Sequence, residues 1–200
     1  LRFYNFIENV DCLGHNILLS RTGYTGELGF EIYSSHNAVK LIWENILENF
    51  KKDGVLAAGL GARDTLRLEM GYLLYGSDIN INVHPFKAGL GWITSLNKGD
   101  FIGREEIILK RDKHKSRLIY FEMIEKSIPR PGFEILFDGK IVGIVTSGTM
   151  SPSLNKGIGI AYVYKTFTRK GTELSVKIRK KFKRAIIVDA PFYSSGTLID

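Results

Sequence analysis

Acid–base chemistry on a helix calls for two carboxylates on one face, and the sequence offers Asp64 and Glu69 for that role. They stand five residues apart on a short helical stretch, so they share a face poorly and read instead as structural salt-bridge partners. Asp100, just before Phe101-Ile102-Gly103, has the placement of a helix N-cap rather than of a general acid. Cys12 is the one cysteine and the four histidines are scattered, which excludes a disulfide scaffold and a Cys/His zinc site. No helix start lies near Cys12, and it reads as an inert thiol. There is no phosphate-binding loop and no nucleophile elbow, and Gly59-x-Gly61, Gly89-x-Gly91 and Gly157-x-Gly159 all lack the third glycine of a dinucleotide fingerprint. Glu31 is different. In the alternating run Phe30-Glu31-Ile32-Tyr33 its carboxylate falls on the face opposite Phe30 and Ile32. There it can accept two neighbouring N–H groups in a paired, charge-assisted geometry. On the residues alone, a solvated strand glutamate is the ordinary alternative.

The elements that must position these residues fall into two parts. The first reads as α+β. Residues 16–19 and 29–33 are β-rich runs separated by the glycine-punctuated stretch Thr22-Gly23-Tyr24-Thr25-Gly26. Ser35 caps a predicted helix to residue 50, with Val39, Ile42, Trp43, Ile46, Leu47 and Phe50 at helical spacing. A second helix fits residues 62–70, with Leu66 and Met70 inward and Gly71 as its stop. A short third helix is expected to begin near Gly103 under an Asp100 cap. The second part reads as all-β. Phe133, Ile135 and Phe137 alternate before the hairpin turn Asp138-Gly139, and Ile141, Gly143 and Val145 alternate after it. Residues 158–164, 173–178 and 184–189 supply further short strands, for which a small barrel is the natural closure.

Charge divides the chain in the same way. Residues 1–112 carry 12 basic and 14 acidic side chains, and residues 113–200 carry 16 and 7, within a total of +7 over 200 residues. The step falls in Lys110-Arg111-Asp112-Lys113-His114-Lys115, and domains at 1–112 and 113–200 are expected. No apolar run approaches the roughly 20 residues of a membrane span. The first residue is Leu1 and no signal-like stretch follows, so the expectation is a portion of a longer protein.

Four longer strings are far more specific. They are Arg21-Thr22-Gly23-Tyr24-Thr25-Gly26-Glu27-Leu28-Gly29-Phe30-Glu31; Gly61-Ala62-Arg63-Asp64-Thr65-Leu66-Arg67-Leu68-Glu69 followed by Leu74-Tyr75-Gly76-Ser77-Asp78; Lys98-Gly99-Asp100-Phe101-Ile102-Gly103-Arg104-Glu105; and Val145-Thr146-Ser147-Gly148 with Ser151-Pro152-Ser153-Leu154. In this order they resemble the aminomethyltransferase family, the T proteins of the glycine cleavage system, over that family's C-terminal half. The resemblance implies a partial ferredoxin-like, α+β folate-binding domain followed by a small C-terminal β-barrel. It implies transfer of an aminomethyl group from the lipoyl arm of the H protein to tetrahydrofolate, the co-substrate, with release of ammonia and formation of 5,10-methylenetetrahydrofolate. It places the reaction in the cytoplasm, or in the mitochondrial matrix of a eukaryote. The partners it implies are the lipoylated H protein and tetrahydrofolate, with no membrane and no nucleic acid. The family's catalytic aspartate belongs to its N-terminal half, so no residue here is assigned that role and the 200 residues alone are expected to be inactive.

The same resemblance assigns folate contacts. Glu31 would take the 2-amino group and ring N–H of the pterin edge. Tyr24 would stack on the pterin or hydrogen-bond at its rim, the alternative being a turn tyrosine packed on its neighbours. Arg63 would meet the carboxylate-bearing tail or the polar atoms near the reacting nitrogens; the alternative is a helix network with Asp64, Arg67 or Glu69, and Arg67 itself reads as structural. Tyr72 is a further aromatic contact or a core residue. Tyr193 lies in Pro191-Phe192-Tyr193, which resembles the family's terminal motif, although Ser194-Ser195-Gly196-Thr197 follows where many relatives carry a basic residue. The run Lys177-Ile178-Arg179-Lys180-Lys181-Phe182-Lys183-Arg184 holds six cations in eight residues. It is a solvated hairpin end, or it faces an acidic protein or a nucleic-acid backbone. Two other readings are a non-catalytic folate-binding relative involved in RNA modification and a domain of a folate-linked demethylase or dehydrogenase.

Overall fold

The structure, a computed structural model, describes residues 1–198 and separates into two compact units, residues 1–66 with 195–198 and residues 67–194.

In the first unit, β1 (Phe6–Cys12), β2 (His15–Ser20) and β3 (Glu31–Tyr33) form an antiparallel sheet in that order. Leu13 and Gly14, both at positive φ, make the two-residue β1–β2 turn. β1 was not anticipated from the sequence, because its centre is polar and a register shift between Ile7 and Val10 breaks the alternation. β3 is shorter than the 29–33 run, beginning at Glu31. Helix α1 (His36–Asn49) starts at the expected cap, where the Ser35 hydroxyl accepts from the Ala38 N–H. Its inward stripe is Ala38, Ile42 and Ile46, packed on Ile17, Val10, Cys12 and Leu19. Val39, Trp43 and Phe50, which helical spacing grouped with the core, are exposed instead.

Helix α2 (Leu60–Glu69) begins two residues before its expected start. Leu66 and Met70 are only half-buried, whereas Arg67, Leu68 and Glu69 are buried. Gly71 stops the helix at φ 70, and a Cβ there would sit 2.5 Å from the Ala190 Cβ.

The second unit is built on a closed six-stranded barrel. Its strands are β4 (Ser116–Met123), β5 (Glu134–Phe137), β6 (Lys140–Ser151), β7 (Lys156–Tyr164), β8 (Glu173–Ile178) and β9 (Lys181–Val188), in the order β4-β7-β6-β5-β8-β9 with β9 returning to β4. Asp138 and Gly139 both adopt positive φ in the β5–β6 turn, as the Asp-Gly pair predicts. Inside lie Phe121, Ile135, Val145, Val163, Val176 and their neighbours. Seven consecutive residues of β7 are buried, because both faces of the strand are covered. Ala161 and Val163 face the interior, while Ile158, Ile160 and Tyr162 join a second cluster with Leu68, Leu73, Val83 and Leu118. The same double coverage removes the period-two signal from β4, so this strand is not legible in the sequence. Residues 67–112 therefore pack with the barrel, although the charge step lies at 112/113. Helix α3 (Arg104–Lys110) is capped by Gly103 at φ 87 without a side-chain bond, so Asp100 is not its cap. Asp100 instead lies 3.9 Å from Arg104 as an exposed ion pair.

Candidate folate-binding site

The antiparallel register of β2 and β3 sets Ser20 directly opposite Glu31. Glu31 is half-buried, whereas its neighbours Phe30 and Ile32 are exposed. The Thr22 hydroxyl donates to Glu31 Oε2, and the Ser20 and Thr22 hydroxyl oxygens are 2.8 Å apart. The Tyr33 hydroxyl adds a long contact of 3.5 Å to the same oxygen. Both protein hydrogen bonds to this carboxylate thus fall on Oε2, among the described residues. Ser20 and Thr22 were not singled out from the sequence. The signal available for them was the alternation of β2, which places Ser20 on the face that Glu31 shares.

Tyr24 and Arg63 do come together: the Arg63 guanidinium lies 4.9 Å from the centre of the Tyr24 ring. Arg63 is exposed and Tyr24 half-buried. The turn that carries Tyr24 is held by the end of the chain. Thr197 donates to Glu27 Oε2 from its backbone N–H at 3.0 Å and its hydroxyl at 2.5 Å, and its hydroxyl accepts from the Leu28 N–H at 2.9 Å. The Leu198 N–H reaches the Gly26 carbonyl at 3.1 Å. Gly196 passes so close that a Cβ would lie 2.5 Å from that carbonyl oxygen. These bonds, the Thr197 hydroxyl first, hold the Glu27 carboxyl below its ordinary pKa of 4.5. The unremarkable-looking tail is thus a strap over the glycine turn.

Tyr72 and Tyr193 belong to the second unit, where both backbones are tied to the end of α2. The Tyr72 N–H donates to the Arg67 carbonyl at 2.8 Å, and Arg67 Nη1 donates to the Tyr72 carbonyl at 3.0 Å. The Tyr193 N–H donates to the Glu69 carbonyl at 3.1 Å, beside that of Phe192 at 2.8 Å. Both side chains are half-buried.

Arg67 is structural, and its ion-pair partner is Asp78, at 2.8 Å with both side chains almost wholly buried. Asp78 also accepts from the Leu74 N–H and from the Thr146 and Ser147 hydroxyls, while Arg67 Nη2 donates to Ser147. The Tyr162 hydroxyl donates to the Asp78 carbonyl, and burial, then the Asp78 charge, pushes its pKa far up. Glu69 is not a salt-bridge partner: it accepts from the Ser151 and Ser153 hydroxyls and the Ser153 N–H. Asp78, Ser147 and Ser151 lay within the second and fourth sequence strings. Their meeting around Arg67 and Glu69 explains much of why those strings are so specific. No three His, Cys, Asp or Glu side chains converge on a possible metal position among the described residues. No described helix is long and apolar enough to cross a membrane.

Comparison with known proteins places this architecture. The family profile described as "GCVT N-terminal domain" matches residues 1–98, and "Glycine cleavage T-protein C-terminal barrel domain" matches residues 116–194. Aminomethyltransferase from Lysinibacillus sphaericus is 42% identical over 96% of this chain and 53% of its own length. Aminomethyltransferase from Oceanobacillus iheyensis is 45% identical over 98% of this chain and 54% of its own. The crystal structure of glycine cleavage system aminomethyltransferase T from Bartonella henselae superposes with a TM-score of 0.83 at 29% identity, covering 90% of this chain and 50% of that one. The chain therefore spans about half the length of the curated relatives it matches. The two profiles, the relatives and the shared barrel fold identify it as a member of the aminomethyltransferase family, the T proteins of the glycine cleavage system.

Proposed function

We propose that this chain forms part of the tetrahydrofolate site of an aminomethyltransferase acting in glycine cleavage. In that reaction an aminomethyl group on the lipoyl arm of an H protein passes to tetrahydrofolate, ammonia leaves and 5,10-methylenetetrahydrofolate forms. The observation that carries this reading is the state of Glu31: a half-buried carboxylate whose protein hydrogen bonds fall on Oε2. Oε1 and the remaining capacity of Oε2 fit the 2-amino group and ring N–H of a pterin edge. Thr22, itself bonded to Ser20, fixes the carboxylate before the ligand arrives, which lowers the ordering cost of binding.

Tyr24 and Arg63 act as a pair in this reading. The ring offers a stacking face, and the guanidinium held over it is aimed at the anionic tail of folate. Tyr72 and Tyr193 are further folate contacts, presented by backbones anchored at the end of α2. The contribution of these side chains to rate is positional: they hold the nucleophilic nitrogen of tetrahydrofolate against the aminomethyl carbon. The family's catalytic aspartate is assigned to no position among these residues. The 200-residue chain on its own is accordingly expected to give no methylenetetrahydrofolate above background from aminomethylated H protein.

The direct test is calorimetric titration of Glu31→Gln with tetrahydrofolate. Loss of the charged acceptor should weaken binding by about 1.5–3 kcal/mol. An affinity equal to that of the parent chain removes Glu31 from the site.

A further inference from the structure

The basic run resolves into something more specific than a charged face. Lys177, Lys183 and Arg184 are paired with Glu134, Glu125 and Glu173 at 2.6, 3.6 and 3.7 Å. Arg179, Lys180 and Lys181 make no such pair among the described residues, and all three are exposed at the β8–β9 turn. Together with Arg130 and Lys183 they rim an open groove of about 710 Å³ whose apolar side is Ile128, Phe133 and Ile178. Ile128 is exposed, while Phe133 and Ile178 also pack on the barrel core.

The turn itself is unusual. Ile178 pairs with Lys181, so Arg179 and Lys180 are the two loop residues, and Arg179 sits at φ 57. That backbone region favours glycine, asparagine or aspartate. The two other two-residue hairpin turns among the described residues also hold a non-glycine at positive φ in the first position, Leu13 at φ 55 and Asp138 at φ 47, but their second position is glycine where this turn has Lys180. An arginine in that conformation costs stability, and a third adjacent cation adds repulsion. Leu13 shows that the fold tolerates such a φ, but folding supplies no reason for three adjacent cations.

We propose that this groove is a docking site for an acidic polypeptide segment carrying an apolar side chain. Carboxylates would meet Arg179, Lys180, Lys181 and Arg130, and the apolar side chain would lie against Ile128. The charge distribution favours a short peptide over nucleic acid. A phosphate backbone needs cations along a track, whereas Lys177, Lys183 and Arg184 are already paired and the free cations of the 177–184 run are confined to one turn. The one aromatic ring that lines the groove, Phe133, is engaged with the core, and the exposed Phe182 lies outside the lining. The proposal is independent of the folate reading, because no residue proposed to touch folate lines the groove.

The test is fluorescence anisotropy of the full chain with a labelled glutamate-rich peptide containing one leucine, beside its leucine-to-serine counterpart and a uridine homopolymer. The leucine peptide should bind in a salt-sensitive manner and more tightly than the serine peptide. Lys180→Glu with Lys181→Glu should weaken it by about tenfold or more. The milder pair Lys180→Gln with Lys181→Gln should weaken it less, and Ile128→Ser should erase the preference for leucine. Absence of peptide binding by the parent chain overturns the proposal. So does an affinity unmoved by both lysine pairs, or RNA bound more tightly than peptide and lost in the same variants.

Discussion

The two units treat their buried acids in opposite ways. In the second, Asp78 and Glu69 are enclosed and saturated: Asp78 takes Arg67, a backbone N–H and two hydroxyls, and Glu69 takes two hydroxyls and a backbone N–H. In the first, Glu31 is half-open and held through one oxygen by Thr22, with only a long contact from Tyr33 beside it. Saturation fixes a fold, since an acid whose lone pairs are all engaged has nothing left to offer a ligand. Incomplete saturation at a partly exposed acid is what recognition requires. A carboxylate's hydrogen-bond complement thus separates structural acids from a binding acid more sharply than its position in a sequence string does.

Removing single groups tests that contrast. The largest effect should come from Asp78→Ala, which removes the buried carboxylate that faces the Arg67 guanidinium and leaves that charge with neutral acceptors such as Ser147 and the Tyr72 carbonyl. Breaking a buried pair from one side costs about 3–5 kcal/mol, so the midpoint of urea unfolding should fall sharply. A midpoint within error of the parent would mean that Arg67 finds other partners. Glu69→Gln keeps an acceptor but loses the charge that three donors share, and a stability loss of about 1–3 kcal/mol is expected in the same measurement. Glu31→Gln should behave in the reverse way, with the folate affinity lost as above and the unfolding midpoint moved by no more than about 0.5 kcal/mol. If Glu31→Gln destabilises the chain as strongly as Glu69→Gln does, the division between closed and open acids fails.

Legibility from sequence followed the same division. The hairpin of Phe133, Ile135 and Phe137 was readable because the Asp138-Gly139 pair marks its turn locally, although Leu136 is buried on the opposite face of the strand. β4 and the full extent of β7 were not, because Leu118, Ile158 and Ile160 are covered from outside by Leu68, Leu73 and Val83. Such burial on both faces looks like neither alternation nor a helix. Arg67 was correctly read as structural, yet its partner lies eleven residues on, at Asp78, beyond any helical spacing rule. Ser147 and Ser151 are brought to Arg67 and Glu69 from 80 and 82 residues away by tertiary packing alone, without a local signal. Glu31 was legible because a strand's period of two is a local property. Its partner Thr22 was not, because their contact depends on how the ten-residue connection 21–30 closes. The strap was likewise invisible: Thr197 meets Glu27 across 170 residues of sequence.

That strap gives the smallest effect and the one with a defined pH sign. Glu27 is half-buried and its bonds to Thr197 lie at the surface, so they add little to global stability, but they couple the end of the chain to the turn that carries Tyr24. Hydrogen bonds from Thr197 favour the ionised carboxylate and lower its pKa in the folded chain below the ordinary 4.5. A group depressed in this way contributes its stabilisation in full above the unfolded-state pKa, and loses it as pH falls through the lower folded-state value. The strap should therefore be intact at neutral pH and weaken only below about pH 4.5. Amide exchange at Thr197, Leu28 and Leu198, followed by NMR across that range, reads it directly. Thr197→Val removes the hydroxyl, the larger of the two causes, while leaving the backbone N–H in place. In that variant the Glu27 carboxyl should titrate closer to 4.5 and the Leu28 amide should exchange faster at every pH. Exchange at Leu28 that is indifferent to both acid and Thr197→Val would mean that the turn holds its shape without the strap.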